Sequence, residues 1–430
     1  MKPIKILALF VALIASFAPL AAQNNTITPY SRFGYGVLRD NVSSAQAAMG
    51  GVGYAMNNGR QINVMNPASY AAIDTLTFLF DIGVDFKYLT TTQQSIGSTQ
   101  KGHNTTGGLN YVTMQFPVTK YMGASVGLLP YSQVGYSFGE EIQNGESAFS
   151  GSGSINQVYA GLSGKLFKGF TIGLNVSYLF GTLLNDEYVT ADNGSQTLFE
   201  RSVEVSDYDI RFGAQYSFNI GQKNRFTLGA VYSLGKKFLG EAEGIMYDTS
   251  MDTEPKSLGC ISLKENASRP ATHGAGINYI WDDRFMVEAD FTYQPWKDCK
   301  IPELEVDGYQ IVGLSEFDNR WKAALGFQFM PDPRGNYFKR IRYRLGGYLN
   351  HDYITVRGFD GALNNVRDLG VTLGLGLPAP ISRMTKTVVN VGFEYHRRYS
   401  TPASLVTENY FQVTLGINFN ELWFWQSKIQ

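Results

Sequence analysis

From Leu76 onward the chain alternates apolar and polar residues with a period of two. Phe170, Ile172, Leu174, Val176, Tyr178 and Phe180 alternate with Thr171, Gly173, Asn175 and Ser177. The same pattern recurs at Phe226–Tyr232, Phe285–Tyr293, Trp321–Phe329, Leu369–Leu375, Val389–Tyr395 and Phe411–Phe419. A period of two puts one set of side chains on each face of a strand. Such segments predict roughly fourteen strands of about ten residues, the length of a transmembrane strand. The fold class expected is all-β: a transmembrane antiparallel β-barrel of about 14 strands with an N-terminal hatch or plug containing short helices.

The connections give an independent test. Lys120-Tyr121, Leu166–Gly169, Asn219–Asn224 and Asp282-Asp283 are short, whereas Leu183–Ser206, Lys236–Ser268, Gln294–Asp318 and Tyr353–Arg367 are long. Outer-membrane barrels have short periplasmic turns and long outer loops. An even strand count then puts both ends of the barrel in the periplasm.

Ser43–Ile73 departs from the alternation. It is small, Gly- and Asn-rich, and reads as two short helices with a kinked connection. Ser43 or Ser44 can cap a helix running to Met49, with Gly50-Gly51 as its left-handed exit. Asn66 can cap a second helix with Pro67 at its first position. This stretch is expected to plug the barrel. The domain reading is a signal peptide at 1–22, a periplasmic leader and hatch at 23–75, and the barrel at 76–430.

The polar phase of the strands is charged. Arg211, Glu288, Asp290, Lys322, Arg342, Arg344, Glu394 and His396 all fall on the inward face. Charges of both signs pair with one another and hold the plug, or else they line a polar path past it. Pro130 interrupts a strand in GLLPYSQVGYSF. It marks a bulge or local gap, or simply the end of that strand at the outer rim.

Composition agrees with a membrane barrel. The 430 residues include 46 Gly, 26 Tyr and 28 Phe, only 17% are charged, and mean hydropathy is -0.15. A formal net charge of -1 leaves no electrostatic footprint for nucleic acid. Lys2 and Lys5, the apolar run Ile6–Leu20 and Ala21-Ala22-Gln23 read as a secretory signal. Beyond it no apolar run is long enough for a transmembrane helix. Export puts Cys260 and Cys299 in an oxidising compartment, on the same outer side. Pairing and two free thiols both remain open.

Catalytic and metal chemistry find little support. Gly135-Tyr136-Ser137-Phe138-Gly139 fits the G-x-S-x-G pattern, but that motif needs a strand-to-helix turn and here lies in a strand. His103, His273, His351 and His396 show no ligand spacing, so no metal and no cofactor is expected. His396 has no assignable serine partner, so the chain reads as a non-enzyme.

Met49-Gly50-Gly51 and Asn66-Pro67-Ala68, placed before a long run of strands, resemble the FadL/TodX family of outer-membrane transport proteins. The C-terminal GINFNELWFW resembles that family's ending and barrel-assembly signals. The resemblance implies a fourteen-stranded barrel with an internal hatch. It also implies passive uptake of hydrophobic molecules such as fatty acids or hydrocarbons, with lateral release through a gap in a kinked strand. By that analogy Asn66, Pro67 and Ala68 belong to the hatch and Pro130 to the gap. The aromatic leader TPYSRFGYG departs from the family's pattern. The plan is also similar to that of PorV-like proteins, which implies a scaffold or partner-binding subunit of a secretion or assembly complex. The partners implied are outer-membrane lipid, a hydrophobic ligand, the barrel-assembly machinery during insertion, and envelope proteins of a secretion complex.

Overall fold

The computed structural model describes residues 28–95, 98–142, 145–248, 254, 256–302, 304–306, 309–311, 316–358, 361–379 and 387–422. The signal peptide expected at 1–22 lies outside them. Fourteen antiparallel strands close a barrel: β1 (Thr77–Ser95), β2 (Ser98–Thr119), β3 (Met122–Ile142), β4 (Gly145–Phe167), β5 (Phe170–Ala191), β6 (Gln196–Ile220), β7 (Asn224–Ser233), β8 (Thr272–Trp281), β9 (Phe285–Gln294), β10 (Arg320–Phe329), β11 (Arg342–Arg357), β12 (Leu363–Ala379), β13 (Thr387–Thr401) and β14 (Val406–Leu422). Each pairs with its neighbours in sequence, and β1 closes on β14 from Thr77–Leu422 to Gln93–Val406. Pairing along most of this wall satisfies the backbone without lipid, as strands that cross a bilayer require.

The alternation sorts side chains as expected. Leu228, Phe291, Leu325, Val371, Leu373, Phe393 and Phe411 face outward and are exposed, while Thr227, Asp290, Thr372 and Gln412 beside them are buried. Strand lengths depart from the expectation. β7, β8, β9 and β10 have 10 residues each, but β6 has 25 and β4 has 23. The long loop expected at Leu183–Ser206 is therefore mostly strand, with β5 and β6 paired from Phe170–Tyr216 to Thr190–Gln196. Its alternation continues past the lipid-facing rows, so the strands run on as a hairpin. Tyr353–Arg367 is likewise strand at both ends, up to Arg357 and from Leu363.

Residues 28–73 lie inside this wall. The first helix is Ser44–Ala47, capped by Ser43, whose side chain accepts from Gln46 N; Gly50 and Gly51 follow at φ +74° and +79°. Asn66 caps the 3-10 helix Pro67–Ala72. Hydrogen bonds fix the segment to strands all round the barrel. Ser44 N donates to Tyr111 Oη of β2 at 2.9 Å, Gly50 N to Thr372 Oγ1 of β12 at 2.8 Å, and Ala55 N to Glu288 of β9 at 2.9 Å. Asn66 Nδ2 reaches Ala214 O of β6 at 3.2 Å, and Asn175 Nδ2 of β5 donates to Tyr70 Oη at 3.0 Å.

Thr28–Leu38 sits at the long-connection end of the barrel. Tyr30 Oη donates to Val406 O at 2.5 Å, and Tyr35 Oη to Lys300 O at 2.8 Å. The Tyr35 ring packs on Phe238, Trp296 and Phe317, and Tyr353 joins this buried cluster. Aromatic residues in the leader thus have a packing reason. They draw the outer connections down over the barrel mouth.

Glycines let wall and segment touch. A Cβ on Gly229 of β7 would stand 1.9 Å from Tyr54 O, and one on Gly346 of β11 2.2 Å from the Met49 carbonyl carbon. Gly229→Ala and Gly346→Ala are each expected to destabilise the seated segment by about 1–3 kcal/mol. Limited proteolysis of the folded barrel in detergent, read as the rate of cleavage within residues 28–75, checks this. Gly102→Ala, with nothing within 4 Å of the added Cβ, serves as the silent control.

Candidate functional site

The inward charges are organised around two residues of the N-terminal segment, Arg39 and Asp40. Arg39 Nη2 lies 2.8 Å from Asp85 of β1, which also pairs with Lys87 at 3.3 Å. Asp40 accepts from Arg320 at 3.1 Å and from Lys322 at 2.6 Å, both on β10. Burial opposes the charged form of Asp40. The Lys322 and Arg320 cations outweigh it and hold the carboxyl well below the usual carboxylate range.

Lower in the lumen, β9 carboxylates grip the backbone of the same segment. Asp290 Oδ2 accepts from Gly53 N at 2.6 Å and Tyr54 N at 2.9 Å, and Glu288 accepts from Ala55 N and from Asn278 Nδ2. Gln46 and Asn63 bridge the segment to itself at 2.9 Å. These contacts satisfy N–H groups that no helix or strand would otherwise pair.

The remaining charged positions lie elsewhere. Arg344 donates to Gln328 and Asn390 on β10 and β13, not to the segment. Arg342 faces Arg60, a second cation. Glu394 accepts from Tyr348 Oη at 2.7 Å. His396 sits between Tyr348 Oη at 2.8 Å and Asp368 at 3.2 Å. Arg211 lines a cavity beside Tyr54, Met65 and Asp209. Arg344 and Glu394 thus bond to wall residues, and the contacts that reach the segment are those of Asp40, Glu288 and Asp290. Of the hatch residues, Met49 and Ala68 are fully buried, Gly50 bonds to β12, and Asn66 with Pro67 packs against Gly213 of β6.

Sequence reasoning missed Arg39, Asp40, Asp85, Lys87, Arg320, Asp368 and Arg398. The signal for two of them was present. Asp81, Asp85 and Lys87 share one phase of β1, opposite Phe80, Ile82, Val84 and Phe86. Arg39-Asp40 gave none, since a charge pair before a plug looks like any loop.

Pro130 marks a break in the wall. The register of β3 against β4 shifts between Pro130 and Ser132, and the pairing of β3 with β2 stops at Leu128–Val112. Above that point the β3 edge is met by the N-terminal segment. Val37 and Leu38 pair with Gln133 and Ser132, Arg39 N donates to Tyr131 O, and Thr28 N donates to Gly135 O. The serine pattern Gly135–Gly139 is therefore strand throughout, and among the described residues no group of His, Cys, Asp and Glu could hold a metal.

Cys260 and Cys299 are both free. Cys260 lies beside Glu241 at 3.7 Å on an exposed outer hairpin, while Cys299 donates to Pro295 O under the next connection. Of the two alternatives left open, the structure shows the free thiols, on different long connections with different neighbours.

Three cavities lie around the segment, of about 140, 70 and 170 Å³. The first is lined by charged groups, Arg39, Asp40, Lys87, Arg320, Lys322 and Asp368 among them, together with Val37, Leu38, Val42, Tyr348 and Tyr410. The charged part of this lining suits water and ions. It would cost an apolar guest the desolvation of every group it displaced.

A family model described as BamG matches residues 3–430. The chain belongs to the BamG family. Solved structures similar to this BamG-family chain are FadL-type barrels. A Pseudomonas aeruginosa FadL homologue aligns at TM-score 0.62 with 12% identity, over 90% of this chain and 99% of its own. The P. putida toluene transporter TodX aligns at 0.61 with 14% identity, over 90% and 100%. The Ralstonia pickettii toluene transporter TbuX aligns at 0.57 with 13% identity, over 89% and 99%. No curated protein sequence matches the chain. At these identities the likeness establishes the fold, an outer-membrane barrel of FadL type.

Asp40→Asn removes the charge between Arg320 and Lys322 and is expected to loosen the segment by about 1.5–3 kcal/mol. A depressed carboxylate pKa adds stability at pH above its unfolded value and loses it as pH falls through the folded value. Protease protection of residues 28–75 should hold at about pH 4, near the free carboxylate pKa, and decline only in stronger acid. Asp40→Asn should be weaker at neutral pH and lack that acid-dependent part.

Proposed function

We propose that this barrel is a non-transporting, partner-binding subunit of an outer-membrane assembly or secretion complex. The observation that carries the reading is the N-terminal segment seated against the wall at several heights. Ion pairs at Asp40 and Arg39, carboxylate grips at Gly53–Ala55, and the Tyr35 cluster at the outer mouth close the lumen at three levels. The three cavities described above are small and each has charged side chains in its lining. A path for hydrophobic cargo needs an apolar lining. The family's name, shared with barrel-assembly proteins, points the same way.

A second reading has one observation in its favour. The break beside Pro130 sits in the third strand, where the FadL/TodX resemblance implies lateral release, and the fold neighbours include toluene transporters. On that reading the hatch moves and a fatty acid or hydrocarbon leaves sideways into the outer leaflet.

Extraction from native membranes in gentle detergent, with protein and lipid mass spectrometry on one sample, separates the two. The expected result is stoichiometric barrel-assembly or secretion proteins without enriched fatty acid or hydrocarbon. Enriched apolar ligand without stoichiometric protein overturns the first reading. In planar bilayers the wild-type barrel should show no steady ion conductance, whereas the Asp40→Ala/Asp290→Ala double variant should conduct.

A further inference from the structure

The break in the wall leaves one strand edge unclaimed. β2 is paired with β1 from Ser98–Ser95 to Gln115–Leu79, but with β3 only from Val112–Leu128 to Thr119–Met122. Among the described residues the backbone of Ser98–Asn110 has no strand partner on its β3 side. The wall cannot simply close over it. The facing edge of β3, Tyr131–Gly135, is already occupied by Thr28 and Val37–Arg39.

Part of that edge lies at the height of the lipid-facing belt. Thr105 is opposite Tyr88, Tyr88 is opposite Phe411, and Phe411 is opposite Tyr395. Tyr88, Phe411 and Tyr395 are half exposed on the outer face, as is Leu109. Acyl chains cannot satisfy backbone N–H and C=O groups at this depth. An unpaired edge is also a template for another strand.

The chemistry of the slot describes its occupant. On the lumen side stand Arg39, Asp85 and Lys87, an excess of one positive charge, around a cavity of about 170 Å³. On the lipid side stand Leu109 and Leu128. A chain that pairs with β2 must therefore be extended, with polar or acidic side chains facing in and apolar ones facing out. That is the pattern of an outer-membrane barrel strand.

We propose that the edge Ser98–Asn110 of β2 accepts a β-strand from a different outer-membrane barrel protein. The proposal rests on the assembly-subunit reading and names where its partner docks. The short extended piece Val37–Leu38 of the chain already adds to the β3 side of the same break. Strand addition here is thus a mode the fold itself uses.

The test is site-specific photo-crosslinking in native membranes. p-Benzoylphenylalanine is placed singly at His103, Thr105, Gly107 and Leu109, with Phe411 and Tyr395 on the closed wall as controls. Adducts are mapped by mass spectrometry. The expected result is a register ladder: each two-residue step along β2 moves the crosslinked position two residues along one extended, alternating segment of another barrel protein. The controls should give lipid adducts. A ladder on a second copy of this chain overturns the assignment to a different protein. Lipid adducts alone at the β2 positions, with assembly proteins still co-purifying, overturn the strand site and leave the assembly reading standing. Lipid adducts alone with no co-purifying protein overturn both. For any variant that fails to fold, hydrogen exchange on the wild-type complex is the second measurement. Amides of residues 98–110 should exchange at least tenfold more slowly in the complex than in the isolated barrel, and equal rates overturn the proposal.

Discussion

An irregular segment buried inside a barrel carries backbone donors that no ladder of its own can satisfy. In this protein the wall supplies their acceptors. Asp290 and Glu288 of β9 take the N–H groups of Gly53, Tyr54 and Ala55, Thr372 of β12 takes that of Gly50, and Tyr111 of β2 takes that of Ser44. Each is a polar residue at an inward position of a strand whose outward positions are greasy. The period-two pattern therefore does more than place the barrel in lipid. It also presents acceptors at the places where the segment needs them.

Charge pairing sits above this layer and depends on it. Arg39 and Asp40 can reach Asp85, Arg320 and Lys322 only because the backbone on either side of them is held to the wall. Each of these charges lost water on burial and recovered an opposite charge. A barrel emptied of its segment would leave Arg320, Lys322 and Lys87 facing Asp85 and Asp368 across a wider space. Seating of the segment and pairing of the charges are thus the same set of contacts.

The strands were legible because alternation over ten or more residues is a strong signal, and Phe170–Phe180 is a clear instance. The segment was legible in outline, since Asn66-Pro67 and Ser43 announce helix starts through cap chemistry. What it binds was not legible. Asp290 and Asp40 are recognisable only as inward or loop carboxylates until the chain is closed into a ring, because their partners lie 237 and about 280 positions away in sequence. Strand length was misjudged for a related reason. Residues beyond the membrane alternate just as those within it do, so the pattern marks strand without marking where lipid ends. At Pro130 the strand does not end but runs on to Ile142, and nothing in the sequence showed that the N-terminal chain would meet it there.

The position of Tyr35 sets an order of events. Its ring lies beneath connections that join β7 to β8 and β9 to β10, and the segment behind it is bonded to strands on every side of the ring. Emptying the lumen from this mouth would therefore first have to break the Tyr35 cluster, and would then bare donors and charges on every side of the ring at once.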